Sequence, residues 1–231
     1  MSFSDNFIKK ELIYSNKLEK ERDISEFRLE GEAIITFGNS RMRMENKLDP
    51  QLGQASNYVF WCPFYFPDCV LYEWDFYPIS EPGLAMFFFS AAGKNGADIF
   101  NPSLEKRDGQ YKKYHSGDIN AFHASYFRRK AETERAFQTC NLRKSYGFHL
   151  VSQGADPLPS VIDAIPPYKI SVIKYENEVI FSINDLTLYR FFDDGKTYGN
   201  LLTGGKIGFR QMAPLIAEYS NFNAYSIRKE R

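Results

Sequence analysis

Residues 168–199, YKISVIKYENEVIFSINDLTLYRFFDDGKTYG, read as short runs of alternating apolar and polar side chains broken at Glu176-Asn177, Asn184-Asp185 and Asp194-Gly195. Period-two alternation lets a strand bury one face, and dipeptides of this kind close tight turns, so the stretch predicts an antiparallel meander. Downstream, GGKIGFRQMAPLIAEYSNFNAYSI (204–227) gives two more strands hinged at Ala213 and Pro214, the last alternating towards the C-terminal end.

Upstream the same reading continues. EFRLEGEAIITFGNSRMRME (26–45) predicts two strands around a Gly38-Asn39 turn, and NYVFWCP (57–63) and VLYEWDFYP (70–78) predict two more. LAMFFFSAA (84–92) is apolar on both parities, which predicts a central strand buried on both faces. Residues 93–118, GKNGADIFNPSLEKRDGQYKKYHSGD, are polar and rich in turn formers and read as a long loop, of the kind that usually carries function. INAFHASYFRR (119–129), FQTCNLRK (137–144) and YGFHLVSQG (146–154) are three further strands, and the prolines of ADPLPSVIDAIPP (155–167) forbid regular pairing. RKAETERAF (129–137) carries the one helical signal of more than two turns. About a dozen short strands without helices between them predict an all-β, jelly-roll type, two-sheet antiparallel sandwich, with a closed barrel as the alternative.

Composition bounds what such a sandwich can do. At 231 residues, with 43% hydrophobic and 25% charged residues, the chain is expected to form one domain over 1–231 with a sizeable core and a polar surface. The 21 Phe and 15 Tyr favour half-buried pleated surfaces. A formal net charge of zero offers no overall positive field to a phosphate backbone, so nucleic acid is not an expected partner. No apolar stretch reaches the roughly 18 residues a membrane-spanning helix needs, and the charged start MSFSDNFIKKELIYSN lacks the core of a secretory signal. A soluble, cytoplasmic protein is expected. Cys62, Cys69 and Cys140 have no CxxC spacing and read as buried small hydrophobes in a reducing compartment, although Cys62 and Cys69 are close enough in sequence to pair across a loop. No cofactor or metal is called for, and the oligomeric state is not legible.

Strand parity sorts the chemistry. In 119–129, His123, Ser125 and Arg129 share the face opposite Phe122, Ala124 and Tyr126. Asn141 and Arg143 fall opposite Cys140 and Leu142, His149 opposite Phe148 and Leu150, and Arg210 opposite Ile207 and Phe209. If these strands are neighbours, they build a basic, His-containing floor. Arg forks hydrogen bonds onto a carboxylate and His moves protons near neutral pH, so the floor suits an acidic sugar. In a uronate lyase, a cation neutralises the carboxylate while a base takes the adjacent proton. His123 or His149 is the expected acid or base, Tyr126 the reserve base, and Arg143 and Arg210 the carboxylate grip, with Arg129, Asn141 and Gln211 also in contact with substrate. A non-catalytic sugar-binding module using the same floor is the alternative. Ordinary outer-face residues of a sheet would show the same parity.

A third reading rests on Glu73 and Asp75, two apart on one face of YEWDFYP, where carboxyls can approach the 5 to 5.5 Å or so that retaining glycosidases use. The pattern is similar to the acidic strand of jelly-roll glucanases, but the next same-face position is Tyr77, where those enzymes carry another acid. Trp61 and Trp74 sit inside apolar patterns and read as core rather than sugar platforms. Asp193-Asp194-Gly195 reads as a hairpin turn, and Asp118 with Asn120 reads equally as a loop-closing turn or as a hold on a cation or sugar hydroxyl.

GDINAFHASYFRR (117–129), TCNLRKSYGFHLVSQGADPLP (139–159) and GKIGFRQMAPL (205–215), together with WCP (61–63), PGLAMFFFSAAG (82–93) and the C-terminal meander, closely resemble the YesU-like family of domains of unknown function, DUF1961. The resemblance covers nearly everything after residue 55. It implies a concanavalin A-like lectin and glucanase fold and a role in breaking down plant cell-wall polysaccharide. His123, Tyr126, Arg128, Arg129, Asn141, Arg143, Lys144, His149, Arg210 and Gln211 lie in the matched motifs, and no catalytic assignment comes with them. The fold hosts lectins, hydrolases and lyases alike.

Overall fold

The computed structural model describes residues 6–129 and 138–230. Among them, one sheet of eight strands runs in the order β13 (Leu186–Phe192), β12 (Glu178–Ile183), β11 (Tyr168–Tyr175), β6 (Val70–Ser80), β15 (Ile216–Lys229), β4 (Arg41–Asn46) and β3 (Ala33–Gly38), with β1 (Phe7–Asn16) paired to the distal part of β15. A second sheet of seven runs β10 (His149–Ala155), β9 (Thr139–Lys144), β8 (Ile119–Arg129), β7 (Gly83–Gly93), β14 (Gly205–Met212), β5 (Tyr58–Phe66) and β2 (Arg28–Glu30). Neighbours in both sheets are antiparallel. The molecule is the all-β, two-sheet antiparallel sandwich that the alternation predicts.

The meander forms as read at its first two turns, but Asp193-Asp194-Gly195 closes no hairpin: β13 is the edge of its sheet, and the chain leaves it there for β14 in the other sheet. Tyr175 pairs with Glu178 around Glu176-Asn177, and the next turn holds Asn184 and Asp185 at φ of 49° and 63°, the consecutive left-handed pair that a two-residue hairpin turn needs and that Asn and Asp tolerate. Along these strands Ile170, Val172, Val179 and Phe181 enter the core between the sheets, while Ile173 and Ile180 join a small apolar cluster on the outer face of the first sheet. The inter-sheet core is aromatic, with Trp74 packed on Phe87 at 4.5 Å between ring centres and on Phe209 at 5.8 Å. β7 is the fourth of seven strands and buried on both faces: Phe87 and Phe89 point to the core, and Phe88 points outward into a second cluster with Val59, Trp61 and Tyr114.

That outer cluster stays dry because the long segment 94–118 lies across it as a strap, ending in the four-residue helix α1 (Lys112–His115). Polar anchors hold the strap down. Buried Arg107 pairs with Glu30 at 2.6 Å and donates to the Ile99 carbonyl at 2.7 Å, and Trp61 Nε1 donates to the same Glu30 at 2.9 Å. Asp118 accepts from the Glu105 amide at 2.8 Å, and its carbonyl accepts from the Lys94 amide at 2.7 Å.

Three differences from the sequence reading have physical causes. Residues 26–45 hold three strands, not two: Gly31, at φ 91°, turns the chain between β2 in the second sheet and β3 in the first, where a Cβ would lie 2.5 Å from the Asn57 carbonyl oxygen. The β3–β4 turn sits at Asn39-Ser40, both at positive φ, one residue beyond the expected position. β1 was not read as a strand because FIKKELIYSN lies at a sheet edge and lacks a clean alternation. The helical signal at 129–137 lies almost wholly outside the described residues.

Candidate functional site

The outer face of the second sheet is where parity aligns polar side chains. Arg210 registers with Met86, Met86 with Ser125, Ser125 with Asn141, and Asn141 with Gln153, giving one row across five strands. The adjacent row runs Phe88, His123, Arg143. The strap covers the β14 end of both rows and brings Tyr111 and His115 to their edge, and the β9–β10 loop brings Phe148 from the other side.

His123 is buried and engaged at both ring nitrogens, with Nδ1 2.9 Å from the Tyr111 hydroxyl and Nε2 3.2 Å from Ser145 Oγ. Burial, followed by the charges of His115, Arg210 and Arg143, holds its pKa well below the ordinary imidazole range, so the ring is neutral at pH 7. Burial also pushes Tyr111 up to about 12, which keeps it a phenol. His115 is half-buried, its Nδ1 2.7 Å from Ser116 Oγ and its ring against Tyr111 and Phe148 at 5.0 and 4.8 Å. Its pKa is lowered by burial first, then by Arg143, Arg210 and Lys112.

Arg143 sits over Phe148, its guanidinium carbon 3.6 Å from the ring centre, and donates from Nη1 to the Phe148 carbonyl at 2.8 Å. Arg210 is wholly enclosed beneath the strap, where Nη1 donates to the Gly109 carbonyl at 2.6 Å, Nη2 to Gln54 Oε1 at 3.3 Å, and the rings of Tyr111 and Tyr114 flank it at 5.0 and 5.6 Å. Its Nε is buried without an acceptor. Among the described residues neither arginine is in an ion pair, and carboxylates do not figure among the charges acting on the two histidines. The site is therefore a partly dry cluster of two guanidiniums and two imidazoles with no resident anion.

This geometry sits in a chain whose residues 11–224 match the family described as domain of unknown function, DUF1961. The chain belongs to that family. It is 53% identical over 210 residues to the uncharacterized protein YesU of Bacillus subtilis (strain 168), a match covering 91% of this chain and 93% of YesU. A crystal structure from Bacillus subtilis, of a protein of unknown function with a galectin-like fold, has a TM-score of 0.93 at 50% identity over 97% of this chain and 100% of that one. The same fold recurs at 10% identity in the carbohydrate-binding module CBM66 of Bacillus subtilis (TM-score 0.54, covering 87% of this chain and 95% of the module). It recurs again at 9% identity in the Bacillus licheniformis β-glucanase (TM-score 0.55, covering 94% and 98%). The concanavalin A-like, galectin-like fold of this DUF1961 chain is thus established.

Of the residues singled out in the sequence, the DUF1961 fold brings His123, Ser125, Asn141, Arg143 and Arg210 onto one face and puts Tyr126, Arg129, His149, Gln211 and Asp118 elsewhere. His149 is opposite Lys144 in the β9–β10 ladder while Leu150 is opposite Arg143, so His149 points away from the floor. The polar parity of the edge strand misleads there because exposed Leu150 takes the outward position. Tyr126 is in the core, its hydroxyl accepting from Trp74 Nε1 at 3.2 Å, and burial holds its pKa well above the ordinary phenol value, which corrects the expectation of a reserve base. Arg129 leaves the polar face because Phe127, at φ 47°, adds a bulge that reverses parity. It ends wholly buried, 3.2 Å from buried Asp156 and 3.8 Å from Glu81. Gln211 is enclosed between the hydroxyls of Tyr58 and Tyr219, at 2.7 and 2.9 Å, out of reach of a ligand. Asp118 staples the strap, with Lys94 Nζ 3.8 Å away.

Glu73 and Asp75 belong to the other sheet. Glu73 is held by Lys9 at 2.6 Å and Lys169 at 3.7 Å, and Asp75 accepts from Asn221 at 2.7 Å. Trp61 and Trp74 are both fully buried. Tyr111, His115, Ser145 and Phe148 were not found from sequence. The one signal for the first two is the density of rings in YKKYH inside an otherwise polar loop. Strand parity puts Phe148 on an apolar face, and no local pattern marks Ser145.

Proposed function

We propose that this DUF1961 chain binds anionic carbohydrate, uronate-bearing oligosaccharides of the kind released from plant polysaccharide, at the edge of the outer-face floor. The observation that carries this reading is the cation cluster without a resident carboxylate. Arg143 keeps its stacking on Phe148 and one bond to a carbonyl, and its remaining N–H groups have no protein acceptor among the described residues. A carboxylate there gains a charge-assisted, two-pronged contact in surroundings that Arg210 and His115 make more positive. Gln153, exposed on the edge strand, donates to Asn141 at 2.7 Å, so Asn141 acts by positioning an amide that meets sugar hydroxyls. A carbohydrate-binding module and a β-glucanase on the same fold support the ligand class. Free Cys62, Cys69 and Cys140 support a reducing, cytoplasmic setting in which the ligand is an imported oligosaccharide.

Calorimetry with trigalacturonate and with a neutral trisaccharide tests the proposal. Arg143→Ala is expected to weaken trigalacturonate at least about tenfold, or about 1.4 kcal/mol, and the wild-type affinity is expected to fall with salt. Equal binding of both sugars, or no effect of the substitution, overturns it.

One observation favours turnover as a second reading. His115 is neutral at pH 7, partly accessible and next to Arg143, whereas His123 has both nitrogens engaged. With Arg143 on the carboxylate, His115 would take the proton from C5. The C4–O bond would then break, a C4=C5 double bond would form, and the departing oxygen would take up a proton. A rise in ultraviolet absorbance from the unsaturated product, lost in His115→Ala, is expected of a lyase. Saturable binding with no rise assigns the site to recognition alone.

A further inference from the structure

The loop Ser145–Phe148 has a second side. Phe148 faces the floor, but Tyr146 and His149 turn the other way, onto a cavity of about 510 Å³ at the open end of the sandwich. Its far wall is the segment Thr197–Gly204, and Asn120 and Asn95 close it from the β7–β8 end. Volumes of this order enclose small ligands.

Three features give the cavity a chemical character. Its lining holds no Asp, Glu, Lys or Arg, only amides, hydroxyls, His149 and apolar groups. The rings of Tyr198 and His149 stand 5.2 Å apart at 45°, and Tyr146 is exposed beside them. Asn120 Oδ1 is buried with no hydrogen-bond partner, a desolvated acceptor left without a donor. The far wall is also fixed in advance: buried Lys144 donates to the Gly199 carbonyl at 2.9 Å and pairs with Asp193 at 2.7 Å, so the loop carrying Tyr198 needs little ordering on binding.

We propose that this cavity binds an uncharged sugar residue, with the Tyr198 and His149 rings lying against the C–H faces of the sugar and the Asn120 amide turning to bring its unpartnered oxygen to a ring hydroxyl. An ionic ligand is disfavoured because no charged side chain lines the walls, and Lys94, which stands 4.5 Å over the Tyr146 ring, is offset by Asp118 at 3.8 Å. Aromatic faces with convergent amides match the alternating apolar and hydroxyl surfaces of a neutral pyranose. The site is separate from the floor: Ser145 stands at the boundary, its Oγ near His123 and its body lining the cavity.

The test is a titration of isotope-labelled protein with the methyl glycosides of glucose, galactose, mannose and xylose, followed through backbone amide shifts. At least one glycoside is expected to give saturable shifts confined to the segments that line the cavity, 90–96, 120, 145–149 and 197–204. Affinity is expected to fall at least tenfold in Tyr198→Ala and in Asn120→Ala and to stay unchanged in Arg143→Ala. Tyr198 lies in a surface loop, so its variant decides the matter if Asn120→Ala fails to fold. Absence of saturable shifts with all four glycosides overturns the proposal, as does a loss that follows Arg143→Ala instead of Tyr198→Ala. Trigalacturonate binding is read through Arg143 and neutral-glycoside binding through Tyr198, so the two sites fail independently.

Discussion

Arg129 and Asp156 are both completely enclosed, and the carboxylate also accepts the amides of Arg128 and Leu158 at 3.0 and 3.1 Å. Among the described carboxylates, Asp156→Ala leaves the buried guanidinium only its longer contact with Glu81 at 3.8 Å, and the expected cost is about 3 kcal/mol, read from the midpoint of urea unfolding. A second residue-scale expectation concerns pH. The native pKa of His123 lies below the unfolded value of about 6.5, so on acidification the unfolded chain takes up a proton that the native ring refuses. Stability is then full above about pH 6.5, falls as the pH drops below it, and stops falling on this account once the native pKa is passed. His115 acts in the same direction. The carboxylates with lowered pKa values, Asp98, Asp108 and Asp194, add their loss only as the pH falls through the ordinary carboxyl range and below it. Thermal melts from pH 7 to pH 5 are expected to show a smaller slope in His123→Gln than in the wild type. An unchanged slope would mean that His123 is not the buried neutral group described.

Among the elements, the strap is pressed hardest against the sandwich at Gly109, where only glycine fits. Gly109 is at φ 91°, a Cβ there would lie 1.8 Å from the Asn57 carbonyl oxygen, and its own carbonyl caps Arg210. Gly109→Ala is expected to lift the strap, costing more than about 1 kcal/mol and speeding hydrogen exchange at the residue 109 amide, which donates to Tyr114 in the native state. Trp61 beneath it should shift its fluorescence to the red. Elements also explain what the sequence made legible. β11 to β13 were readable because period-two burial and Asn-Asp turns are local signals, and β7 because a run with both faces apolar has few other homes. Half of the floor was readable for the same reason: His123, Asn141, Arg143 and Arg210 keep simple parity. Arg129 and His149 were misplaced because a bulge at Phe127 and the register of an edge strand are set by neighbours, not by the strand itself. Tyr111 and His115 were missed because their role arises where the strap lands, a long-range contact that no local pattern encodes.

In the whole molecule, stability rests on the aromatic layer between the sheets. Trp74 touches Phe87, Tyr126, Phe209 and Phe222, which links β6 and β15 of one sheet with β7, β8 and β14 of the other. Trp74→Ala is expected to cost about 3–5 kcal/mol and to weaken the attachment of the sheets to each other, measured by calorimetric unfolding.

The pairing of β1 with β15 puts Phe7 opposite Lys229. A tensile load applied through these two residues would act across the ladder rather than along it, so its hydrogen bonds would yield one after another from that end. Gripped instead at residue 16 and residue 229, the same pair would be loaded in shear and all its bonds would share the force. The β1–β15 ladder is thus mechanically anisotropic: weak when Phe7 and Lys229 are drawn apart, and resistant when the same strands are slid past each other.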